Sequence, residues 1–428
     1  MAGLFTPRNL TISLAAGILG GIALGLAGQF TGSPAIASFI GAIEIFGTIF
    51  LRALQMVVVP IVLFSVTAGV ANLDGASELG GKLGKVLVFF AFTSFVAVLI
   101  GMIYTNLVQP GKGLDPDALI ALLPPESYAG AAATQGKIAL TAPSTMGEFL
   151  STQVGNILMN PFKALAEANL IAVVFFSMFL GVAILLCGES GRPAAHFFSA
   201  MESALMKMVG VVVWLAPLGV FALASKVLLG LGPDVLRPLA KYFLTVVAGL
   251  LTHFFVVYPL LVRFLARFPV GRFFSTMREA HLMALASASS NATLPVTMRC
   301  LVENAGVDKK SADLVAPLGA TINMDGTALY EAVAAMFIAQ LVGLELGLQQ
   351  QFIVFFTATL AAVGAAGIPQ AGLVTMVIVF KALGLPLELM ALIIVVDRPL
   401  DHLRTCVNVT GDMIGAIWLA RISGTLKA

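Results

Sequence analysis

Apolar residues fall into long runs near 10–30, 40–72, 83–108, 165–188, 197–230, 236–267, 311–343 and 384–421, separated by glycine, proline and charged positions. A helix needs about 20 mostly apolar residues to cross a bilayer, so the pattern predicts eight spanning helices. The runs at 40–72 and 197–230 exceed that length, which implies tilt or extension into water. Glu44 and Arg52 near the start of the first of these predict that it begins in the interface. Two shorter stretches, 271–301 and 349–381, are apolar but interrupted. Ser287-Ala288-Ser289-Ser290-Asn291-Ala292-Thr293-Leu294-Pro295 and Gly364-Ala365-Ala366-Gly367-Ile368-Pro369-Gln370-Ala371-Gly372 are poor continuous helices, because proline removes a donor and glycine loosens the backbone. Irregular backbone at membrane depth persists only when it lines a cavity or is buried in protein. Both stretches are therefore predicted to be re-entrant hairpins. Two such hairpins, each followed by a long helix, suggest an inverted repeat.

Composition fits this reading. Of 428 residues, 59% are hydrophobic and 11% charged, and the mean hydropathy is +0.99. A soluble domain carries about 25% charged residues, so the expected class is an all-α polytopic membrane protein. The net charge of +2 and the dispersed Lys and Arg positions give nothing that would grip nucleic acid. Arg8, Lys82, Lys85, Arg192, Arg263, Arg267, Arg272, Arg278, Lys309, Lys310, Arg421 and Lys427 sit at segment ends that would share one side, while Lys112, Arg237 and Lys381 lie at opposite ends. The positive-inside rule then places both termini in the cytoplasm, in a plasma or bacterial inner membrane. This requires 271–301 to enter and leave from the cytoplasmic side and 349–381 from the outer side. Residues 10–30 form too long a run for a signal peptide and read as the first spanning helix. Residues 111–150, rich in Pro, Gly, Ala and Ser, read as an outer loop. Cys187, Cys300 and Cys406 and the four histidines lack metal-ligand spacing and read as packing or loop residues.

Charge inside the apolar runs changes the picture. Asp397, Asp401, Arg404, Asn408 and Asp412 are spaced by four, three, four and four, which stacks them on one stripe of a helix flanked by apolar residues at 385–396 and 413–420. Each charge at membrane depth costs about 2.5–3.5 kcal/mol on insertion scales, so a stripe of four charges marks a polar cavity or a binding site. Asn323-Met324-Asp325-Gly326-Thr327 interrupts the seventh spanning run, since Asn, Asp and Gly favour a non-helical break. Freed backbone carbonyls beside an aspartate and an amide suit a small hard cation such as sodium. Helix amino ends at the hairpin tips would direct N–H groups at an anionic group, with Ser289 and Ser290 adding hydroxyls.

The serine-rich tip (Ser289 to Pro295), the Asn323 to Thr327 break, Gly367-Ile368-Pro369-Gln370-Ala371-Gly372, and Asp401-His402-Leu403-Arg404-Thr405 on to Asn408 and Asp412 together resemble the dicarboxylate/amino acid:cation symporter family. That family includes the excitatory amino acid transporters and archaeal aspartate-transporting relatives. The resemblance spans essentially the whole chain and is strongest over 281–412.

The resemblance implies eight transmembrane helices plus two re-entrant helical hairpins, arranged as an elevator-type transport domain on a trimeric scaffold. Residues 1–80 and 151–232 would form scaffold helices, 81–110 the third helix of the transport domain, 111–150 an extracellular loop, and 233–428 the rest of the transport domain. Carried onto matching positions, Arg404 would pair with a substrate side-chain carboxylate through a bidentate fork, and Asp401 would take its ammonium. Asn408 and the tip at Ser289 and Ser290 would hold the α-carboxylate, and Thr327, Thr405, Ile368 and Gly372 would complete the pocket. One sodium would use Gly319, Asn323, Asn408 and Asp412. A second would use carbonyls at Thr321, Met324, Ala362, Val363 and Ala365, and a third Phe90, Thr93, Ser94, Asn323 and Asp325. Glu331, one turn beyond the break, is a buried carboxylate suited to carrying a proton; in the family a glutamate here goes with proton co-transport and potassium counter-transport. Arg398, Pro399 and His402 depart from what close relatives usually carry.

The resulting expectation is a sodium-coupled symporter of L-aspartate and L-glutamate, using two or three sodium ions, with protons and potassium as further coupling ions. A C4-dicarboxylate or neutral amino acid symporter of the same family is the alternative. Arg404 speaks against neutral substrates, and Asp401 against substrates without an amino group. An enzyme is not expected, because no nucleophile with an activating base stands out in the apolar runs.

Overall fold

The computed structural model describes residues 7–72, 76–121, 154–155, 157–167, 169–363, 367 and 371–427. Helices account for nearly all of them. The first four are α1 (Pro7–Thr31), α2 (Pro34–Ala71), α3 (Ala76–Val108) and the short α4 (Pro116–Ala121), followed by α5 (Pro161–Ala166), α6 (Leu170–Leu186) and α7 (Arg192–Leu231). Helix α8 (Leu236–Thr252) runs on through π turns at His253–Val257 and Leu261–Leu265. Then come α9 (Val270–Thr276), α10 (Arg278–Ser287), α11 (Ser290–Arg299), α12 (Lys309–Ile322), α13 (Asp325–Leu341), α14 (Leu348–Val363), α15 (Ala371–Ala382) and α16 (Met390–Ile422). Most of 111–150 lies outside the described residues.

By length and composition, Ile12–Thr31, Pro34–Ala71, Gly81–Val108 and Gly188–Leu265 are apolar enough to cross a membrane, with Ala172–Leu186, Leu348–Val363 and Ala371–Ala382 shorter. Helices α12, α13 and α16 escape that measure because one span is broken in two and the other carries charge. Helix α2 starts at Pro34, ahead of the expected 40. Glu44 therefore sits inside the helix, and Lys226 of α7 pairs with it.

Two groups of helices share contacts. In the first, α7 packs along α1 and α2, and α6 packs on α2. Close approach there depends on small residues: a Cβ at Gly21 would stand 2.7 Å from the Phe221 carbonyl oxygen of α7, and one at Gly25 would stand 2.6 Å from that of Ser225. In the second, α13 is sheathed by α3, α8, α14, α15 and α16, and α16 also packs on α10 and α12. Every side chain of α13 except Gln340 is buried. Large apolar residues such as Phe30, Phe179, Val211 and Phe264 stay exposed on the outer faces, as expected where the surroundings are hydrocarbon.

The two interrupted stretches fold into helical hairpins, α10–α11 and α14–α15, whose arms pack on each other. The α10–α11 tip turns at Ala288, which adopts a left-handed φ of 51° and is followed by extended Ser289. That conformation is uncommon for a residue with a Cβ. The Ser289 hydroxyl accepts from the Ala292 N–H at 3.1 Å and so caps α11.

Candidate functional site

Three breaks in helical structure converge beside α16: the α10–α11 tip, the gap at Asn323-Met324 between α12 and α13, and the α14–α15 tip. The two tips touch. Ser289 Oγ donates to the Gly367 carbonyl at 2.7 Å, and the Asn291 N–H donates to the same oxygen at 2.9 Å. A Cβ on Gly367 would stand 2.6 Å from the Ala320 carbonyl, so only a residue without one fits this crossing. Ile368 and Ala365 fall outside the described residues.

Helix α16 places the predicted stripe wholly inside. Asp397, Asp401, Arg404, Asn408 and Asp412 are each 5% exposed or less. Arg404 Nη2 donates to Asp401 Oδ1 at 2.7 Å and lies 3.1 Å from Asp397 Oδ1. Its guanidinium lies over the Tyr330 ring, Cζ 3.8 Å from the centroid, and the Tyr330 hydroxyl donates to Asp397 at 2.7 Å. Buried ion pairs hold only when the remaining donors and acceptors are met. Here the remainder stands out: Nε and Nη1 of Arg404 and Oδ2 of Asp397 have no hydrogen-bond partner among the described residues. Gly372 of α15 brings bare backbone against the guanidinium, since a Cβ there would be 2.9 Å from Nη1. Thr405 turns its hydroxyl to the Asp401 carbonyl at 2.9 Å. Ser290 on α11 and Thr327 on α13 are both buried. Asn408 joins α16 to the α13 amino end: its Oδ1 accepts from the Gly326 N–H at 2.8 Å, and its Nδ2 lies 3.2 Å from Thr327 Oγ1.

Below this lies a second polar group rich in oxygen. Asn323 Nδ2 donates to Asp412 Oδ1 at 2.9 Å, and Asn323 Oδ1 accepts from Thr93 Oγ1 at 3.3 Å. Gly319 faces the Asp412 carboxylate so closely that any Cβ would collide with it. Ser94 Oγ donates to Asp325 Oδ1 at 2.6 Å, and the Phe90 carbonyl accepts from Thr93 at 3.1 Å. The structure thus brings Phe90, Thr93, Ser94, Asn323 and Asp325 together, and Gly319, Asn323 and Asp412 together with Asn408 one turn away. Hard anionic and neutral oxygens of this kind fit sodium. Thr321 stands on the last turn of α12, Met324 lies in the gap, and Ala362 and Val363 close α14, which packs on α12.

Glu331 lies one turn along α13 from Thr327, fully buried. Its Oε1 accepts from the Thr375 hydroxyl of α15, and its Oε2 has no hydrogen-bond partner among the described residues.

Several contributors were not apparent from the sequence. Tyr258 donates to Asp325 Oδ2 at 2.9 Å and stands 3.0 Å from the Val407 carbonyl. His253 is fully buried, packs edge-on to Tyr258 with centroids 4.5 Å apart, and places Nε2 3.4 Å from Asp325 Oδ2. It is a packing residue, as expected, but one packed against the acid. Tyr330 and Thr375 anchor Asp397 and Glu331 in the same way. The available signal was a tyrosine inside an apolar run, because a buried hydroxyl requires a partner.

Residues 10–422 match the model of the family described as the sodium:dicarboxylate symporter family. The chain is 39% identical to human excitatory amino acid transporter 3, over 88% of this chain and 78% of that protein. It is 38% identical to excitatory amino acid transporter 1 of Ambystoma tigrinum, over 86% and 75% of the two chains, and 37% identical to human excitatory amino acid transporter 5, over 88% and 76%. With these matches covering nearly its full length, the chain belongs to the sodium:dicarboxylate symporter family.

Proposed function

We propose that this chain is a secondary active transporter that carries L-aspartate and L-glutamate across a membrane together with sodium. The observation that carries the reading is Arg404: a buried guanidinium whose Nε and Nη1 have no hydrogen-bond partner among the described residues, with Nη1 beside the bare backbone of Gly372. A planar carboxylate is the natural occupant of the edge that carries Nη1, where it meets both Nη1 and Nη2 once Nη2 turns from Asp401. As it binds, the Arg404–Asp401 bond exchanges for two others, guanidinium to the substrate side-chain carboxylate and Asp401 to its ammonium. Asn408, Thr327, Thr405 and the amino end of α11 at Ser289 and Ser290 then surround the α-carboxylate, with Ile368 and Gly372 closing the pocket from the α14–α15 hairpin.

Sodium would occupy the oxygen group below. Asp412 with Gly319, Asn323 and Asn408 offers one position, and Asp325 with Phe90, Thr93, Ser94 and Asn323 another. Carbonyls at Thr321, Met324, Ala362, Val363 and Ala365 offer a third, which would tie closure of the α14–α15 tip to ion binding. This coupling makes substrate binding depend on sodium, because the same break between α12 and α13 carries both sets of contacts. Glu331 would carry a proton, with potassium returning on the empty carrier.

The division into two helix groups supports an elevator in which α1, α2, α6 and α7 stay fixed, as the scaffold of a homotrimer, while α3 and α8 to α16 move. The arginine and lysine positions support cytoplasmic termini in a cell or inner membrane. The test is uptake of radiolabelled aspartate into proteoliposomes. Accumulation should require an inward sodium gradient, and uptake indifferent to sodium overturns the reading.

A further inference from the structure

Asp401 is held from two sides on its own helix. Arg404 Nη2 lies 2.7 Å from Oδ1, and Arg398 Nη1 lies 3.6 Å from Oδ2. The two arginines are not equivalent. Arg404 is 1% exposed and shared with Asp397, whereas the Arg398 side chain is 17% exposed at the rim of the cluster. Counting formal charges, Asp397 and Asp401 are balanced by Arg398 and Arg404. Without Arg398 the same cluster would carry one net negative charge.

We propose that Arg398 is a specificity-determining residue that keeps one oxygen of Asp401 engaged, so that the site reads a substrate ammonium weakly and also admits C4-dicarboxylates without an amino group. This rests on the roles proposed above for Asp401 and Arg404. When a substrate carboxylate draws Arg404 away, Asp401 is freed on Oδ1 only. Arg398, one turn earlier on α16, remains beside Oδ2. An amino acid then brings its ammonium to a carboxylate that already faces a cation, and the two positive groups repel across a short, poorly screened distance. A dicarboxylate brings no such group. It also carries a second uncompensated negative charge, which a balanced cluster tolerates better than a negative one. Specificity is a difference of affinities, so the effect belongs in the ratio between the two substrate classes rather than in either affinity alone.

The experiment is competition by unlabelled succinate and L-aspartate against sodium-driven uptake of labelled aspartate in proteoliposomes, for the wild type, Arg398→Gln and Arg398→Lys. In the wild type, succinate is expected to inhibit within about tenfold of aspartate, a discrimination of about 1.4 kcal/mol. In Arg398→Gln the succinate-to-aspartate ratio of inhibition constants is expected to rise about fivefold or more, the scale of a partly exposed charge pair. Arg398→Lys should stay within about twofold of the wild type, since the charge is kept. If Arg398→Gln does not insert, Arg398→Met removes the same charge and is read in the same way. An unchanged ratio in the neutral variant, or wild-type uptake that succinate does not inhibit, overturns the role of Arg398 and leaves sodium-coupled aspartate transport standing. A wild type that shows no sodium-driven aspartate uptake overturns that functional reading itself.

Discussion

The guanidinium of Arg404 stacks on the ring of Tyr330, and the hydroxyl of that ring donates to Asp397, the carboxylate that lies 3.1 Å from the same guanidinium. One tyrosine therefore acts on the arginine twice, from its face and through its hydroxyl. The arrangement fixes the plane of the guanidinium and leaves Nη1 against Gly372. Removing only the hydroxyl, in Tyr330→Phe, should leave the ring contact and release Asp397. A hydrogen bond to a charged group contributes about 1.5–3 kcal/mol, so aspartate affinity should fall by about tenfold or more. Equilibrium binding of aspartate at saturating sodium checks this, with sodium-induced thermal stabilisation as the control that should not move. Unchanged aspartate affinity would remove Tyr330 from the site.

Arg404→Cys should abolish uptake of acidic amino acids. The substitution removes the fork and leaves Asp397 and Asp401 facing each other inside the protein. Breaking a buried pair from one side costs about 3–5 kcal/mol, which corresponds to a loss of more than about a hundredfold in affinity. Uptake of labelled neutral amino acids by the same variant measures whether the pocket itself survives. High-affinity aspartate binding in Arg404→Cys would refute the carboxylate role.

The fold was largely legible, and the reason is local. Spacings of three and four put Asp397, Asp401, Arg404, Asn408 and Asp412 on one stripe, and all five are buried together. Asn323-Met324-Asp325-Gly326 signalled a break, and α12 ends at Ile322 while α13 begins at Asp325. The serine-rich stretch became a hairpin tip, and Gly367 of the glycine-rich stretch meets it. Non-local partners were not legible. Tyr258 and Asp325 are 67 residues apart, and Glu331 and Thr375 are 44 apart, so no periodicity links them. His253 sits on an apolar helix with nothing in its neighbourhood to mark it, and only the packing of α8 onto α16 and α13 brings it to Asp325. The start of α2 was misplaced because Glu44 reads as an interface residue until Lys226, on another helix, is known to pair with it.

Gly411 permits the lower oxygen group to close. A Cβ at this position would stand 2.5 Å from Asn323 Nδ2 and 2.8 Å from the Tyr258 hydroxyl. Gly411→Ala should therefore push Asn323 and Tyr258 off Asp412 and Asp325, on a helix where alanine is otherwise the more favourable residue. The expected outcome is a rise of about tenfold or more in the sodium concentration needed for half-maximal aspartate uptake, with expression and folding retained. A change that affects only aspartate, at every sodium concentration alike, would separate this group of oxygens from sodium.

Among the described residues, Glu331 is the one carboxylate near the site that faces neither a cation partner within ion-pair distance nor the oxygen group. Its Oε1 takes the Thr375 hydroxyl, and its Oε2 takes nothing among the described residues. A lone charge there is costly, and a proton offsets that cost. Glutamine reproduces the shape of the protonated acid and cannot lose its proton. In Glu331→Gln, sodium-dependent aspartate binding should survive, because the variant resembles the loaded carrier. The return of the empty carrier should fail, because a second cation would no longer find a carboxylate to replace the proton. Two measurements distinguish this from general damage. Net uptake driven by outward potassium should be lost while exchange of internal for external aspartate continues. The dependence of aspartate binding on external pH should also flatten. A variant that keeps its potassium requirement and its pH dependence would show that Glu331 serves only to hold α15 through Thr375.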